Sequence, residues 1–218
     1  MKNPTILALA TAFLAACGGG GDSSTSSFPL DAAYTKVLTT GASLNGTAVD
    51  GADTWTLSLS SAPAADEAFE GVVSKKAIQS LTIKKNGAVL VATTISSYFS
   101  INPLTTKGAS YSDGTYAVQT SITGNFPTAA RVGDSGPLGT LTLYTNASKT
   151  TVQATTQNTW TLEADTASTA FGCTNSILRD AAGTQTGTAA GCFKFDTNGN
   201  ALGIRYTLSV AGKTLVFQ

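Results

Sequence analysis

The chain of 218 residues contains no histidine, and its one methionine is the first residue. Histidine is the commonest general base near neutral pH and the commonest metal ligand. Its absence closes off Ser-His-Asp and Cys-His catalysis, HExxH proteases and histidine-based zinc chemistry. Charge is scarce too: Asp, Glu, Lys and Arg make up 12% of the chain, 13 basic against 13 acidic. No basic surface offers itself to nucleic acid or anionic lipid, so no nucleic-acid partner is expected. No cofactor is implied. The three cysteines include no CxxC pair, which leaves thiol redox chemistry without a motif. Helix formers are sparse, Ser and Thr abundant, and hydrophobic residues reach 42%, a composition that suits an exported β protein with a real core rather than a disordered chain.

The N-terminus carries one charge, Lys2, then an apolar run from Ile6 to Ala16 broken only by Thr11, then Cys17. This is a signal peptide over residues 1–16. Its run is too short to span a bilayer, which takes about 20 residues. Leu14-Ala15-Ala16-Cys17 resembles the lipobox of bacterial lipoproteins, and the resemblance implies that the Cys17 sulfur carries a diacylglycerol and that the new amino terminus is acylated. Two or more acyl chains, each buried methylene contributing about 0.8 kcal/mol, hold a protein on a membrane almost permanently. A cell-envelope location follows, with the membrane itself as a partner through the lipid anchor. Gly18 rather than aspartate follows the cysteine, which in that family favours the outer membrane. Residues 17–29 read as the lipidated cysteine and a flexible linker, in which the Gly/Ser stretch 18–27 has a reach of roughly 17 Å.

Beyond the linker, period-two alternation dominates, with no helical period evident after residue 30. Trp55, Leu57 and Leu59 fall on one face, as do Leu81 and Ile83, Trp160 and Leu162, Phe193 and Phe195, and the run Leu202, Ile204, Tyr206, Leu208, Val210. Turn signals stand at Asn86-Gly87, Asp113-Gly114, Asn198-Gly199 and Ala211-Gly212. The expected fold is all-β, with antiparallel strands joined by hairpins. Asp53-Thr54-Trp55-Thr56-Leu57 recurs as Asn158-Thr159-Trp160-Thr161-Leu162, suggesting two related halves, 30–122 and 123–218, each sandwich-like or a meander. One larger sandwich or barrel is the alternative.

Cys173 and Cys192 belong to an oxidising compartment, where a disulfide is the default. If Ala182-Gly183 centres a two-residue hairpin, Ala181 opposes Thr184 and Cys173 falls opposite Cys192, within bridging distance.

The remaining motifs are weaker. Gly133-Asp134-Ser135-Gly136-Pro137 resembles the nucleophile segment of chymotrypsin-like proteases but lacks the second glycine, and the chain lacks the histidine. A Ser135 dyad with Lys149 or Arg131 has nothing to place it. The Asp-Ser-Gly of aspartic proteases needs a second copy, which is missing, so a turn is the plain reading. Glu163 and Asp165 share the face opposite Trp160 and Leu162, and Asp66, Glu67 and Glu70 form a second acidic group; either set suits calcium, acid/base work or a solvated surface. Asp196-Thr197-Asn198-Gly199-Asn200 opens like an EF-hand loop but lacks its glutamate. Lys75-Lys76 and Lys84-Lys85 read as guards of a strand edge. Trp55, Trp160, Tyr98, Tyr111, Tyr116, Tyr144 and Tyr206 are sugar platforms or core, with core favoured for both tryptophans.

No catalytic or metal-binding residue is singled out. The leading expectation is a non-enzymatic binding or scaffolding domain, with an envelope protein or a glycan as partner. A carboxylate-based glycan hydrolase and a β-barrel carrying an apolar ligand stand beside it.

Overall fold

The computed structural model describes residues 26–210 and 213–218; the signal segment, Cys17, the linker as far as residue 25 and the Ala211-Gly212 turn lie outside the described residues. A single helix, α1 (Leu30–Thr40), precedes twelve strands. These are β1 (Ala42–Asp50), β2 (Asp53–Phe69), β3 (Val72–Lys85), β4 (Ala88–Ser100), β5 (Thr105–Tyr111), β6 (Tyr116–Ile122), β7 (Ser135–Tyr144), β8 (Val152–Ala164), β9 (Thr169–Asp180), β10 (Gln185–Asp196), β11 (Ala201–Val210) and β12 (Lys213–Phe217).

All twelve form one antiparallel sheet in strict chain order. The sheet curls round until its two edges meet: Thr47 of β1 and Gln218, just past β12, exchange both backbone hydrogen bonds at 3.1 and 3.2 Å. The all-β expectation holds, in its barrel form. The boundary between residues 122 and 123 leaves six strands on each side, and the sheet runs unbroken across it through β6 and β7. The Thr-Trp-Thr-Leu recurrence falls on β2 and β8, but Trp55 stands near the start of its strand and Trp160 near the end of its own. Since β2 and β8 run the same way, the two tryptophans sit at opposite ends of the barrel.

Alternation puts Leu57 and Leu59, Leu81 and Ile83, Trp160 and Leu162, and Phe193 and Phe195 inside. In a meander every second turn lies at the same end. The barrel therefore has a helix end, bearing α1 and the β2–β3, β4–β5, β6–β7, β8–β9 and β10–β11 turns, and a far end bearing the rest.

Residues 30–40 are a correction to the reading that no helical period follows residue 30. Leu30, Ala33, Tyr34 and Val37, all buried, stand at i, i+3, i+4 and i+7, one face of a helix. Eleven residues are too few for a helix to stand by propensity. Packing holds α1: its apolar face fills the helix end against Ala77, Phe99, Trp160, Leu162, Ala170 and Phe195. At Gly172 a Cβ would come within 2.8 Å of Leu30, so only glycine lets the helix approach the β9 wall. The Tyr34 hydroxyl donates to the Gly172 carbonyl at 2.8 Å. Over the helix lies the long β6–β7 connection, where Phe126 stacks on Tyr34 at 4.2 Å and Ala130 pairs with Phe28. Phe28 is fully buried, so the stretch read as linker ends before it.

Two other expectations change. The strand run beginning at Leu202 is interrupted, because a bulge pairs Lys194 with Gly203 but Phe195 with Ala201. The extra residue, Leu202, turns out to solvent and is 54% exposed. The lysine pairs do not guard an edge, since β3 is paired on both sides. Lys75 binds Asp66 at 2.8 Å, Lys76 binds Glu67, and Lys85 binds Asp53 at 2.6 Å.

Candidate functional site: the barrel lumen

Between the plug at the helix end and the side chains of the far end, the barrel holds a partly open cavity of about 390 Å³, within the range of small-molecule sites. Its roof is Tyr34, Val37 and Leu38 of α1, and its apolar wall is Leu57, Leu59, Leu81, Val91 and Ile95 from β2–β4. Leu59, Val91 and Ile95 are not fully buried although they point inward, because they face empty space. The polar groups of the lining are uncharged: Gln79 and Ser97 bond to each other at 2.8 Å, Thr93, Thr105, Thr106, Gln119 and Asn125 come from β4–β6 and the β6–β7 connection, and Asn158, Thr174 and Ser176 lie on β8 and β9. Among the described residues no Asp, Glu, Lys or Arg lines the cavity.

The phenols that reach it stay neutral. Burial holds Tyr34 and Tyr206 well above the ordinary value of 10.0, with a hydrogen bond to Thr174 working weakly the other way at Tyr34. Burial, reinforced by Asp113, pushes Tyr111 up to about 12. The lumen is thus a low-dielectric chamber with hydrogen-bonding groups and no fixed charge. It suits binding and offers no general base.

The carboxylates picked from the sequence are elsewhere, and each has a partner. Arg205 pairs with Glu163, and Lys194 with Asp165 at 2.6 Å. The Lys194 ammonium, then the Thr169 hydroxyl, hold Asp165 below the usual carboxylate range. Glu70 pairs with Lys149 and accepts from the Tyr116 hydroxyl at 2.8 Å, which lower its pKa in that order. Asp66 and Glu67 carry the lysines of β3. Each of these carboxylates is thus held by a cation rather than left free to act as the acid or base of glycoside hydrolysis.

Cys173 and Cys192 are directly paired across β9 and β10 and joined by a disulfide, with Cα atoms 3.9 Å apart. The bridge lies on the outer wall yet is almost fully buried. Phe171 packs against it, and the Arg205 guanidinium lies 4.5 Å over that ring and 3.6 Å from both sulfurs. Among the described residues, Glu163, Cys173 and Cys192 have ligand atoms within 4.8 Å of one another. With the sulfurs bonded together, they have no thiolate to give a metal.

The protease-like segment is structural. Asp134 accepts the Arg131 backbone N–H at 2.8 Å, and Ser135 opens β7 at the helix end. Lys149 belongs to the β7–β8 turn at the far end and is engaged with Glu70, so no dyad forms. In the segment resembling an EF-hand, the Asp196 carboxylate accepts from Asn198 and Asn200 of its own turn, as a hairpin requires. The aromatics are spent on packing: Tyr98 and Trp160 are buried, Tyr111 and Tyr206 face the lumen, and Phe69 stacks on Tyr98 and Tyr116.

Sequence reading did not find the lumen as a site. The one available signal was composition: the inward positions of β2–β4 are mostly aliphatic while those of β8–β9 include Asn158, Thr174 and Ser176. No protein-family model, no curated protein and no solved structure matches the chain.

Proposed function

We propose that this protein is a lipid-anchored envelope protein whose barrel binds a small apolar or amphiphilic molecule in its lumen. The observation that carries the reading is the hollow interior of about 390 Å³, whose described lining carries no charged side chain. A protein scaffold would not need such a space, which costs stability wherever it is left empty. The hydrolase reading loses support because its carboxylates are held in ion pairs, and the glycan-platform reading because the aromatics are turned inward or stacked on one another.

The anchor rests on Leu14-Ala15-Ala16-Cys17, outside the described residues. Ser26, which donates to the Ala167 carbonyl in the β8–β9 turn at 3.2 Å, brings the chain in at the helix end.

Two experiments test the two parts. In cells fed a fatty-acid analogue, label on the protein is expected to vanish with Cys17→Ser; label that persists removes the anchor. For the lumen, the mature chain carrying Cys17→Ser is titrated with the neutral dye N-phenyl-1-naphthylamine. Saturable binding is expected, weakened at least about tenfold by Leu59→Trp, which fills the cavity while keeping an apolar wall. Equal affinity in a folded Leu59→Trp variant, or no saturable binding at all, ends the carrier reading.

A further inference from the structure

We infer that the lumen selects neutral amphiphiles, seating the apolar part on the β2–β4 wall and an uncharged hydroxyl-, ester- or amide-bearing group on the β8–β9 wall. This rests on the carrier reading and narrows it to a ligand class.

The geometry comes from strand order. In a closed ring of twelve strands, strands six apart face each other, so β2 looks across the lumen to β8 and β3 to β9. One side presents mainly Leu59, Leu81 and Ile95, its polar groups engaged with each other or with a neighbour, Ser97 with Gln79 and Thr93 with Ser112; the other presents Asn158, Thr174 and Ser176. The polar side is not used up by the fold. The half-buried Asn158 amide makes only long contacts with Thr156, at 3.3 and 3.5 Å. It is placed to pair with a ligand's hydroxyl or carbonyl. Thr174 stands beside the Tyr34 phenol, which ties this polar group to the underside of the plug.

What the lining lacks sets the selectivity. A carboxylate or ammonium entering the lumen leaves water for a chamber with no opposite charge, and an unpaired buried charge is costly. A neutral head group meets amide and hydroxyl partners instead. A molecule that is wholly hydrocarbon would leave Asn158 facing an apolar surface, which is also unfavourable.

The test is displacement of N-phenyl-1-naphthylamine from the mature Cys17→Ser chain by laurate and by 1-monolauroylglycerol, which share one acyl chain. At pH 8 the monoglyceride is expected to displace the dye at least about tenfold better, because only laurate must be desolvated as an anion. Near pH 4.5, about where an aliphatic carboxyl becomes neutral, the gap is expected to shrink to a few-fold. Asn158→Leu is expected to weaken the monoglyceride at least about threefold more than it changes the dye, whose affinity for the variant is titrated directly. Laurate binding as tightly as the monoglyceride at pH 8 overturns the selectivity, and unchanged monoglyceride affinity in Asn158→Leu overturns the seating. If neither amphiphile displaces a dye that binds saturably, the ligand class is wrong while the carrier reading survives. If the dye does not bind, both fall.

Discussion

The two faces of this barrel wall obey opposite rules. Inward positions of β2–β4 are mostly aliphatic, with Leu57, Leu59, Leu81, Ile83, Val91 and Ile95, while outward positions of the same strands are mostly hydroxylic, with Thr56, Ser58, Ser60, Ser80, Thr82, Thr94 and Ser96. A barrel that crosses a bilayer has the reverse arrangement, an apolar band outside and a polar interior. No helix of the described residues is long and apolar enough to cross a membrane either. The outer wall solves its own problem with hydroxyls, ion pairs and two local patches of aromatic and disulfide packing. One of these lies over Gly108, where a Cβ would come within 2.4 Å of the Phe69 ring. The β2–β3 turn lies down there and reaches Lys149 from the opposite end through Glu70. Charge is thus tolerated on one side of a single layer of backbone and, among the described residues, missing from the cavity lining on the other.

That contrast can be broken most forcefully by moving a charge across the wall. Leu162→Asp, at a position 1% exposed beneath the plug, is expected to cost more than about 4 kcal/mol and leave little folded protein. Ser58→Asp, on the outer face, should shift stability by no more than about 0.5 kcal/mol. Urea midpoints decide this, and equal tolerance at the two sites would dissolve the distinction. Next in size is the outer-wall disulfide: the double variant Cys173→Ala with Cys192→Ala should lose about 3 kcal/mol in the same assay. Its burial beneath Phe171 and Arg205 should make reduction by a small thiol slow in the native protein and fast in urea. The smallest effect belongs to Glu70. Lys149 and Tyr116 hold its folded pKa below the ordinary 4.5. Its contribution is therefore complete above the unfolded pKa and disappears as pH falls through the folded one. Glu70→Gln should flatten the acid limb of a stability profile below about pH 4.5, by less than about 1 kcal/mol for so exposed a pair.

Strand identity and facing were legible in the sequence because alternation is a local signal, and the Asn86-Gly87 turn has the paired positive φ values, 49° and 83°, that its residues favour. The cysteine pairing was legible for an instructive reason. The turn has three residues, with Asp180 bonding to Thr184, and a bulge between Gln185 and Gly187 then shifts the register back. Two displacements cancel, and Cys173 meets Cys192 as a two-residue turn would have it. At Leu202 a single bulge goes uncompensated, and that residue alone leaves the run, which Ile204 and Tyr206 keep inward. The helix was missed although Leu30, Ala33, Tyr34 and Val37 carry its period, because eleven residues beside a polar linker look like loop until the barrel interior that receives them is known. The lumen was illegible for the same cause: which walls face each other depends on how many strands close the ring, and no residue encodes that number locally.

The closure between Thr47 and Gln218 also shapes how the molecule comes to exist. Every other strand contact joins neighbours in sequence, so the sheet can lengthen hairpin by hairpin at little entropic cost. The last contact joins residues at nearly opposite ends of the described chain, and its loop-closure term is the largest in the fold. Until the ring shuts, the aliphatic inner face of β2–β4 is an open apolar surface beside an unpaired edge, the species most exposed to aggregation. One pair of hydrogen bonds thus marks the boundary between a hazardous sheet and a chamber.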